Sequence, residues 1–552
     1  MQLNPAETEV VESIPSLSIS CTGDEKATGD PLEYGKGSSD PSLPLEFTAG
    51  GNSDKINESL FFDYTEDLAL GDIWNMDYDT TTGLPDSSLF GSTFLSPMFT
   101  TLDDKAIILS NHYFSDVCPI NSCFDSHRNP FRSFVGDLMA ASPLVYHSVM
   151  MMSASHICHR RKEMTTMALK HRNDAISYLK ERSDFPGEAS FEAILGSVLL
   201  GMTSAWQNPA SLGLAHLRSA RMLFREWCAR PDNPHLTRSG SFLLGIMAYW
   251  EAMASFLTAE SPNTLEYITA FCRQEHGNSA VYPNPWTGVS TTLFIYAAQA
   301  GALCRQNRAI HSLCASITSP TLQNEIHPKQ INDAAELELK VLRYTSPTRN
   351  RIEDPGDSLT TIRHLECLAQ IYRLTILLQL YITFPDLLRK KQDVTAPSLA
   401  MPLQPHKDTP MEVTIALAVS ILNVISSVPE SSGIKVLFTL PLLIAGSALQ
   451  DVRKLNHEYN STEHPECPEI IDEIMSLHCG DLMLLHWRSL VRHKLKSLHD
   501  LIGLDPILRA IQILEAVWLR ADLLMPADEN KEASFIHWMD VMAEERLESV
   551  FG

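Results

Sequence analysis

The feature that most constrains the fold is a helical spacing of apolar residues, which recurs in segment after segment from about residue 100 onward. In 167–183, for example, Ala168, Ala175, Ile176 and Leu179 form one stripe, and the opposite side is largely polar. This is the pattern of an amphipathic helix. The alternation of apolar and polar residues that is typical of β-hairpins does not occur. The sequence therefore predicts an all-α fold.

Similar spacing predicts further helices, separated by short stretches rich in Pro, Gly and Asn. These predicted helices cover residues 102–117, 143–161, 191–207, 212–229, 241–257, 289–310, 331–344, 358–384, 411–427, 435–459, 469–498, 506–524 and 535–550. Pro143 is expected in the first turn of its helix, and Pro441 is expected to kink one. The longest apolar runs, at 368–384 and 436–449, are expected to be buried helices of a soluble protein because one contains Arg373 and the other is too short to cross a membrane.

The first hundred residues have a different composition. Residues 1–57 are rich in Ser, Gly, Pro and Glu, a composition that buries too little apolar surface to offset the ordering of the backbone. The first hundred residues contain 18 acidic residues against three lysines, so most of the chain's net charge of -24 lies there. The sequence predicts a disordered acidic tail at 1–97 and a single large helical domain at 98–552.

One segment of this tail, FFDYTEDLALGDIWNMDYD at 61–79, places bulky apolar side chains among six carboxylates. Such alternation is typical of activation segments, in which acidic residues keep the apolar groups solvated until they bind a coactivator groove as a short helix. Within 58–80 the residues predicted to bind a coactivator or the transcription machinery are Phe61, Phe62, Leu68, Ile73 and Trp74. The alternative is a linker whose apolar residues dock on the helical domain.

The net charge and the cysteines bear on three further properties: nucleic-acid binding, cellular compartment and metal binding. A negatively charged chain lacks the clustered Lys and Arg that hold phosphate, so binding of nucleic acid by this chain alone is not expected. Eleven cysteines without a secretory signal indicate reduced thiols in the cytosol or nucleus. Two groups contain metal-ligating residue types at short spacing, but each lacks a fourth ligand, so no metal or other cofactor is predicted. These groups are Cys118, Cys123 and His127, and His156, Cys158 and His159.

Several enzyme motifs are not found in the sequence, namely phosphate-binding glycine loops, H-E-x-x-H and G-x-S-x-G. One pattern typical of an enzyme is present. Asn173, Ser177 and Glu181 repeat along one helix face, as do the magnesium ligands of helical terpene cyclases. Such an enzyme needs a second acidic cluster, and Asp103 and Asp104 have no third acid at helical spacing. The three residues are therefore expected to face solvent, and no catalytic residue is predicted. A terpene-cyclase type of enzyme and a non-activating scaffold remain the alternatives to a regulator.

The helical part resembles the fungal-specific transcription factor domain that accompanies binuclear zinc-cluster regulators, in particular the branch similar to the acriflavine sensitivity control protein. The resemblance starts at HYFSDVCPINSCFDSHRNPFRSFVGDLMAASPLVYHSVMMMSASH and continues through ALKHRNDAISYLK, LLGMTSAWQNPASLGLAHLRSARMLF, YPNPWTGVSTTLFIYAAQAGALCR, LAQIYRLTILLQLYITFP, VLFTLPLLIAGSAL and AVWLRAD…FIHWMDVMAE. It covers the chain from about residue 110 to the C-terminus.

The resemblance implies a nuclear transcriptional regulator or co-regulator whose helical domain responds to a ligand, a partner or dimerisation. It also implies control of a biosynthetic gene cluster or of drug-response genes. Members of this family carry a cysteine-rich zinc cluster ahead of the helical domain, whereas Cys21 is the only cysteine in the first 117 residues here. We therefore expect contact with DNA only through a partner, such as a zinc-cluster regulator, or through a further N-terminal module. Self-association is a second possible partnership, and no membrane partner is expected.

Overall fold

The computed structural model describes residues 97–158, 160–183, 190–231, 237–258, 262–273, 280–316, 320–392, 410–450, 470–523 and 535–551. These segments are helices and their connections, and they contain no strand beyond two isolated bridges, between Val281 and Ile352 and between Asn284 and Gly288. The predicted all-α fold is confirmed. The predicted activation segment lies outside the described residues, and the division of the chain at residues 97 and 98 stays a prediction.

The α-helices are named here in chain order. They are α1 Pro97–His112, α2 Cys118–Ile120, α3 Phe134–Ala141, α4 Pro143–Cys158, α5 Met164–Ser183, α6 Phe191–Gln207, α7 Leu214–Cys228, α8 Arg238–Ser255, α9 Glu266–Thr269, α10 Thr291–Ser316, α11 Pro320–Arg343, α12 Ile362–Thr383, α13 Asp386–Gln392, α14 Pro410–Ser427, α15 Thr439–Ser447, α16 Ile470–Ile502, α17 Pro506–Leu523 and α18 Trp538–Glu544. A π-helical turn, Tyr113–Val117, joins α1 to α2.

Helix α6 lies in the interior and has buried residues on all sides. It begins where Ser190 accepts a hydrogen bond from the backbone N–H of Ala193, because an N-cap hydroxyl satisfies a donor that the helix itself leaves open. Helix α8 begins in the same way, with Thr237 accepting from Gly240. A helix that is apolar all round must be covered by neighbours, so α6 organises the packing of α4, α5, α7 and α8.

A second group of helices completes the same hydrophobic core. Helix α10 packs on α8 and α12, while α15 packs on α14, α16 and α17. Trp250, Trp538, Tyr372 and Phe294 are among the largest fully buried side chains. Each aromatic side chain of this size buries a large apolar area, and burial of apolar area drives folding.

Within the described residues, two helices are long and apolar enough to cross a membrane by length and composition alone, Ile362–Thr383 and Pro410–Ser427. The most apolar window of the first is 78% buried inside the protein, and that of the second is 39% buried. Residues 436–450 are also buried. Both apolar runs singled out in the sequence are therefore interior segments of the fold.

The loop between α9 and α10 is organised by one side chain. Asn284 is buried, and its Oδ1 accepts hydrogen bonds from the backbone N–H groups of Trp286 at 3.0 Å and Thr287 at 3.3 Å. Its Nδ2 donates to the carbonyl of Phe242 in α8 at 3.1 Å. Gly245 in α8 allows this approach, since a Cβ there would lie 2.1 Å from Asn284 Nδ2. The motif NPWTGVS is thus a loop fixed to the helical core.

Several predictions about individual helices were wrong. Helix α3 and α13 were not predicted, and α11 starts at Pro320 rather than at 331, with Pro328 inside it. Of the helix predicted at 435–459, residues 451–459 lie outside the described residues, and the described part contains the end of a 3₁₀ turn, Gly433–Leu437, and the short α15. Pro441 therefore lies in a first turn, where its missing N–H breaks no hydrogen bond, and it does not kink a helix. Pro143 begins α4, as predicted.

Candidate functional site

A cavity of about 50 Å³ lies where helices from the two ends of the described chain meet. Helices α4, α6 and α8 form one side, and residues around α15, the end of α16 and the start of α17 form the other. The lining is mainly apolar and aromatic, as in binding sites for small molecules. Its apolar and aromatic members include Met152, Leu199, Met202, Trp206, Tyr249 and Trp286.

Two polar atoms at this cavity have no protein hydrogen-bond partner among the described residues. Thr203 is 1% exposed, and neither its Oγ1 nor Asn121 Nδ2 makes a hydrogen bond within the protein. Both residues line the cavity. Buried polar groups are normally satisfied, because leaving one unpaired costs about 1 to 3 kcal/mol. One hydroxyl and one amide N–H are therefore placed to bind a polar atom of a ligand.

The position of Asn121 is set by a hydrogen bond across the cavity wall. Trp286 Nε1 donates to the Asn121 carbonyl at 2.9 Å, and the Trp286 ring packs against Tyr249 with centroids 5.1 Å apart. Trp286 in turn follows Asn284 in the loop described above. Burial raises the pKa of Tyr249, so its hydroxyl remains protonated near neutral pH.

The size of the cavity suits a small group rather than a large ligand. A cavity needs about 10 to 15 Å³ to hold one water molecule, and an engineered apolar cavity of about 150 Å³ binds benzene. A larger ligand therefore requires the lining to move. Met152 and Met202 make this feasible because unbranched thioether side chains repack readily.

A chain of hydrogen bonds connects the cavity wall to the surface. His156 Nε2 bonds the carbonyl of Ile502, a lining residue, at 2.9 Å, and its Nδ1 bonds His112 Nε2 at 2.8 Å. Because a carbonyl only accepts, His156 donates to Ile502 and accepts from His112. His112 Nδ1 lies 3.2 Å from Asp116. Burial lowers the pKa of both imidazoles, and Asp116 opposes this for His112.

The structure separates most of the residues that the sequence singled out as possible metal ligands. Cys118 and Cys123 are buried free thiols, and burial raises the pKa of each to about 12. Cys123 donates to the Asn284 carbonyl at 3.4 Å, as a core thiol does. Cys158 donates to the Ser155 carbonyl at 2.9 Å, and His159 lies outside the described residues.

The magnesium-like pattern lies on the outside of α5. Asn173, Ser177 and Glu181 are exposed, as predicted, and the Ser177 hydroxyl donates to the Asn173 carbonyl at 3.1 Å. An exposed face cannot enclose a diphosphate from water, so these residues do not form a cyclase site. Phe61, Phe62, Leu68, Ile73 and Trp74 lie outside the described residues, and their role stays a prediction.

The sequence did not indicate the cavity. Thr203 and Asn121 carry no motif, and the lining comes from segments as distant as Asn121 and Phe551. The adjacent Thr203 and Ser204 inside a largely apolar helix are the signal that would have drawn attention to α6.

The comparison with protein families gives one match. The model described as the fungal specific transcription factor domain matches residues 108–552. No curated protein and no solved structure matches the chain. The matched region includes every helix that lines the cavity.

Proposed function

Because the chain belongs to the family of the fungal specific transcription factor domain, we propose that it regulates transcription through an acidic activation segment at 58–80, under control of the helical domain. The observation that carries the proposal is the match over 108–552, since this family is one of transcriptional regulators rather than enzymes. Such a regulator acts in the nucleus. The genes that it regulates belong to a biosynthetic cluster or to drug response.

The acidic segment supports the part of the proposal that concerns activation. Its carboxylates raise the encounter rate with a basic coactivator, and its aromatic side chains prolong the complex. Contact with DNA comes from a partner, such as a zinc-cluster regulator, or from a further N-terminal module.

The test is a reporter assay with the full chain fused to a heterologous DNA-binding module. We expect reporter output, and we expect it to fall at least about fivefold in Phe62→Ala/Trp74→Ala, because the loss of two buried aromatic anchors weakens binding by more than 1 kcal/mol. The matched control is Tyr34→Ala/Phe47→Ala, which removes two aromatic residues from the tail outside 58–80 and should leave the output unchanged. Equal output from the two double variants, or none from the parent fusion, would contradict activation.

The cavity is proposed as the input site of the helical domain, for a small apolar effector with one hydrogen-bonding group. Its lining supports this by chemistry, since Thr203 Oγ1 and Asn121 Nδ2 offer polar contacts within an apolar wall. The position of the cavity also supports a role as the input site. A ligand there contacts both α6 and α17, and so favours the conformation in which these two helices lie together.

Benzene and phenol are suitable probes because they differ by one hydroxyl, and both enter a cavity of about 50 Å³ only when the side chains of Met152 and Met202 repack, as the proposal requires. Thermal unfolding of the full chain should show tighter binding of phenol than of benzene by about fivefold, the equivalent of one hydrogen bond. Thr203→Val, which removes only the hydroxyl, should abolish this preference. Thr375→Val is the control, since Thr375 is buried elsewhere and donates to the Ile371 carbonyl at 2.8 Å. If neither probe binds, or if the preference persists in Thr203→Val, the cavity is not such a site.

A further inference from the structure

Two histidines and an aspartate converge between α4 and α5, apart from the cavity lining. His147 in α4 and His171 in α5 bring their Nδ1 atoms to 2.9 Å, and Asp174 Oδ2 lies 3.4 Å from His147 Nδ1. The three donor atoms all lie within 4.8 Å of one another. His171 and Asp174 are three residues apart, so they share one face of α5, and that face is the one toward α4.

The surrounding rings hold the imidazoles in place. Tyr178 stacks on His147 with centroids 5.6 Å apart, and Tyr146 makes edge contacts with both imidazoles. His171 is buried, whereas the side chains of His147 and Asp174 are 19% and 37% exposed. The cluster is therefore preorganised on its inner side and open to solvent on its outer side.

Burial disfavours the protonated, positively charged form of both imidazoles. Burial lowers the pKa of His171 to about 4, helped by His147, and burial also lowers the pKa of His147 against the opposing effect of Asp174. Lys170 is the nearby cation that disfavours a positive charge here. Of two Nδ1 atoms in hydrogen-bond contact only one carries a proton. A metal bound by both Nδ1 atoms displaces that proton, which moves to Nε2 of the same ring, so each imidazole stays neutral and keeps one proton.

The two shortest distances between donor atoms, 2.9 and 3.4 Å, match the coordination sphere of a small transition-metal ion. Bonds of about 2.0 to 2.1 Å from zinc to imidazole nitrogen place two such nitrogens about 3 Å apart or slightly more. The two Nδ1 atoms at 2.9 Å need to move apart only slightly. Two imidazoles and one carboxylate are typical ligands of zinc and of neighbouring divalent ions, and three protein ligands leave one position for water.

We propose that His147, His171 and Asp174 form a binding site for a divalent transition-metal ion of the zinc type, which cross-links α4 to α5. The sequence did not indicate a metal site here because His171-x-x-Asp174 supplies only two ligands, and the third comes from another helix. The proposal does not depend on the effector cavity or on the activation segment.

Titration of the purified, chelator-treated full chain with Co²⁺ and Zn²⁺ tests the site. We expect the visible d–d absorption of Co²⁺ bound by nitrogen and oxygen, without the near-ultraviolet band that thiolate ligands produce, and displacement of Co²⁺ by Zn²⁺. This distinguishes the site from binding to any of the eleven cysteines.

Variants assign the binding to these residues. His171→Gln and Asp174→Asn should each weaken Zn²⁺ binding at least about tenfold while the helical circular dichroism stays unchanged, because each removes one ligand of three. His327→Gln is the matched control, since His327 also lies beside an aspartate, Asp386, at 3.3 Å, and forms no group of three metal-ligating residues within the described part of the chain. Absence of Co²⁺ and Zn²⁺ binding by the parent chain, or equal affinity in Asp174→Asn and the parent, would overturn the proposal. Asp174 is partly exposed, so Asp174→Asn remains informative if His171→Gln fails to fold.

Discussion

Replacing Asn284 by alanine should destabilise the helical domain and deform the cavity wall. The change removes the acceptor for the N–H groups of Trp286 and Thr287, and it removes a second donor from the Phe242 carbonyl, which keeps its partner within α8. All three of these residues are buried. Each buried polar group left without a partner costs about 1 to 3 kcal/mol. The weakest of the three bonds is 3.3 Å long and neighbouring losses do not add fully, so we expect a total loss of about 3 to 5 kcal/mol.

The free energy of unfolding is measured by guanidinium denaturation, followed by both circular dichroism and tryptophan fluorescence, because coincident curves justify a two-state treatment. The matched control is Asn208→Ala. Asn208 Oδ1 accepts a single hydrogen bond, from the exposed N–H of Ala210 at 3.1 Å, so its loss should cost less than about 1 kcal/mol.

A double-mutant cycle with Gly245→Ala gives the sharper test. The new Cβ clashes with the Asn284 amide, so Gly245→Ala alone should lower the free energy of unfolding by about 1 to 3 kcal/mol. In the Asn284→Ala background that amide is gone, and the cost of Gly245→Ala should largely vanish. The reasoning is refuted if the two substitutions are additive, or if Asn284→Ala is no more destabilising than Asn208→Ala.

Two further predictions use the same denaturation measurement. Glu251→Gln removes the negative charge that the largely buried guanidinium of Arg221 contacts through two hydrogen bonds, and should cost about 3 to 5 kcal/mol. Glu366→Gln, whose partner Arg349 is exposed, should cost clearly less, and similar losses at both positions would contradict this. His537 Nδ1 accepts a hydrogen bond from the N–H of Met539. Burial lowers the pKa of His537 from 6.5 to about 3, so its imidazole binds a proton more readily in the unfolded chain than in the folded protein. Its contribution to stability is therefore complete above pH 6.5 and is lost as the pH falls from 6.5 towards 3, with a slope of up to about 1.4 kcal/mol per pH unit that His537→Gln should remove. An unchanged pH slope in His537→Gln would show that this histidine is protonated in the folded protein.

The sequence determined those parts of the fold that depend on neighbouring residues. The helix predicted at 191–207 has the same bounds as α6, because its start is set by the local Ser190 cap and its end by the polar stretch that follows. Pro143 marked the start of α4 for the same local reason. Solvent exposure of Asn173, Ser177 and Glu181 also followed from helical spacing alone.

Tertiary structure alone decided which distant residues meet. The cavity brings Thr203 of α6 beside residues of α17, and the loop of Asn284 reaches α8 because Gly245 has no side chain there. The spacing of His171 and Asp174 is visible in the sequence, but the approach of His147 is not. Helical periodicity fixes the side of a helix on which a residue lies, and only the packing of whole helices fixes what faces it, because that packing minimises the free energy of the entire core rather than of any one segment.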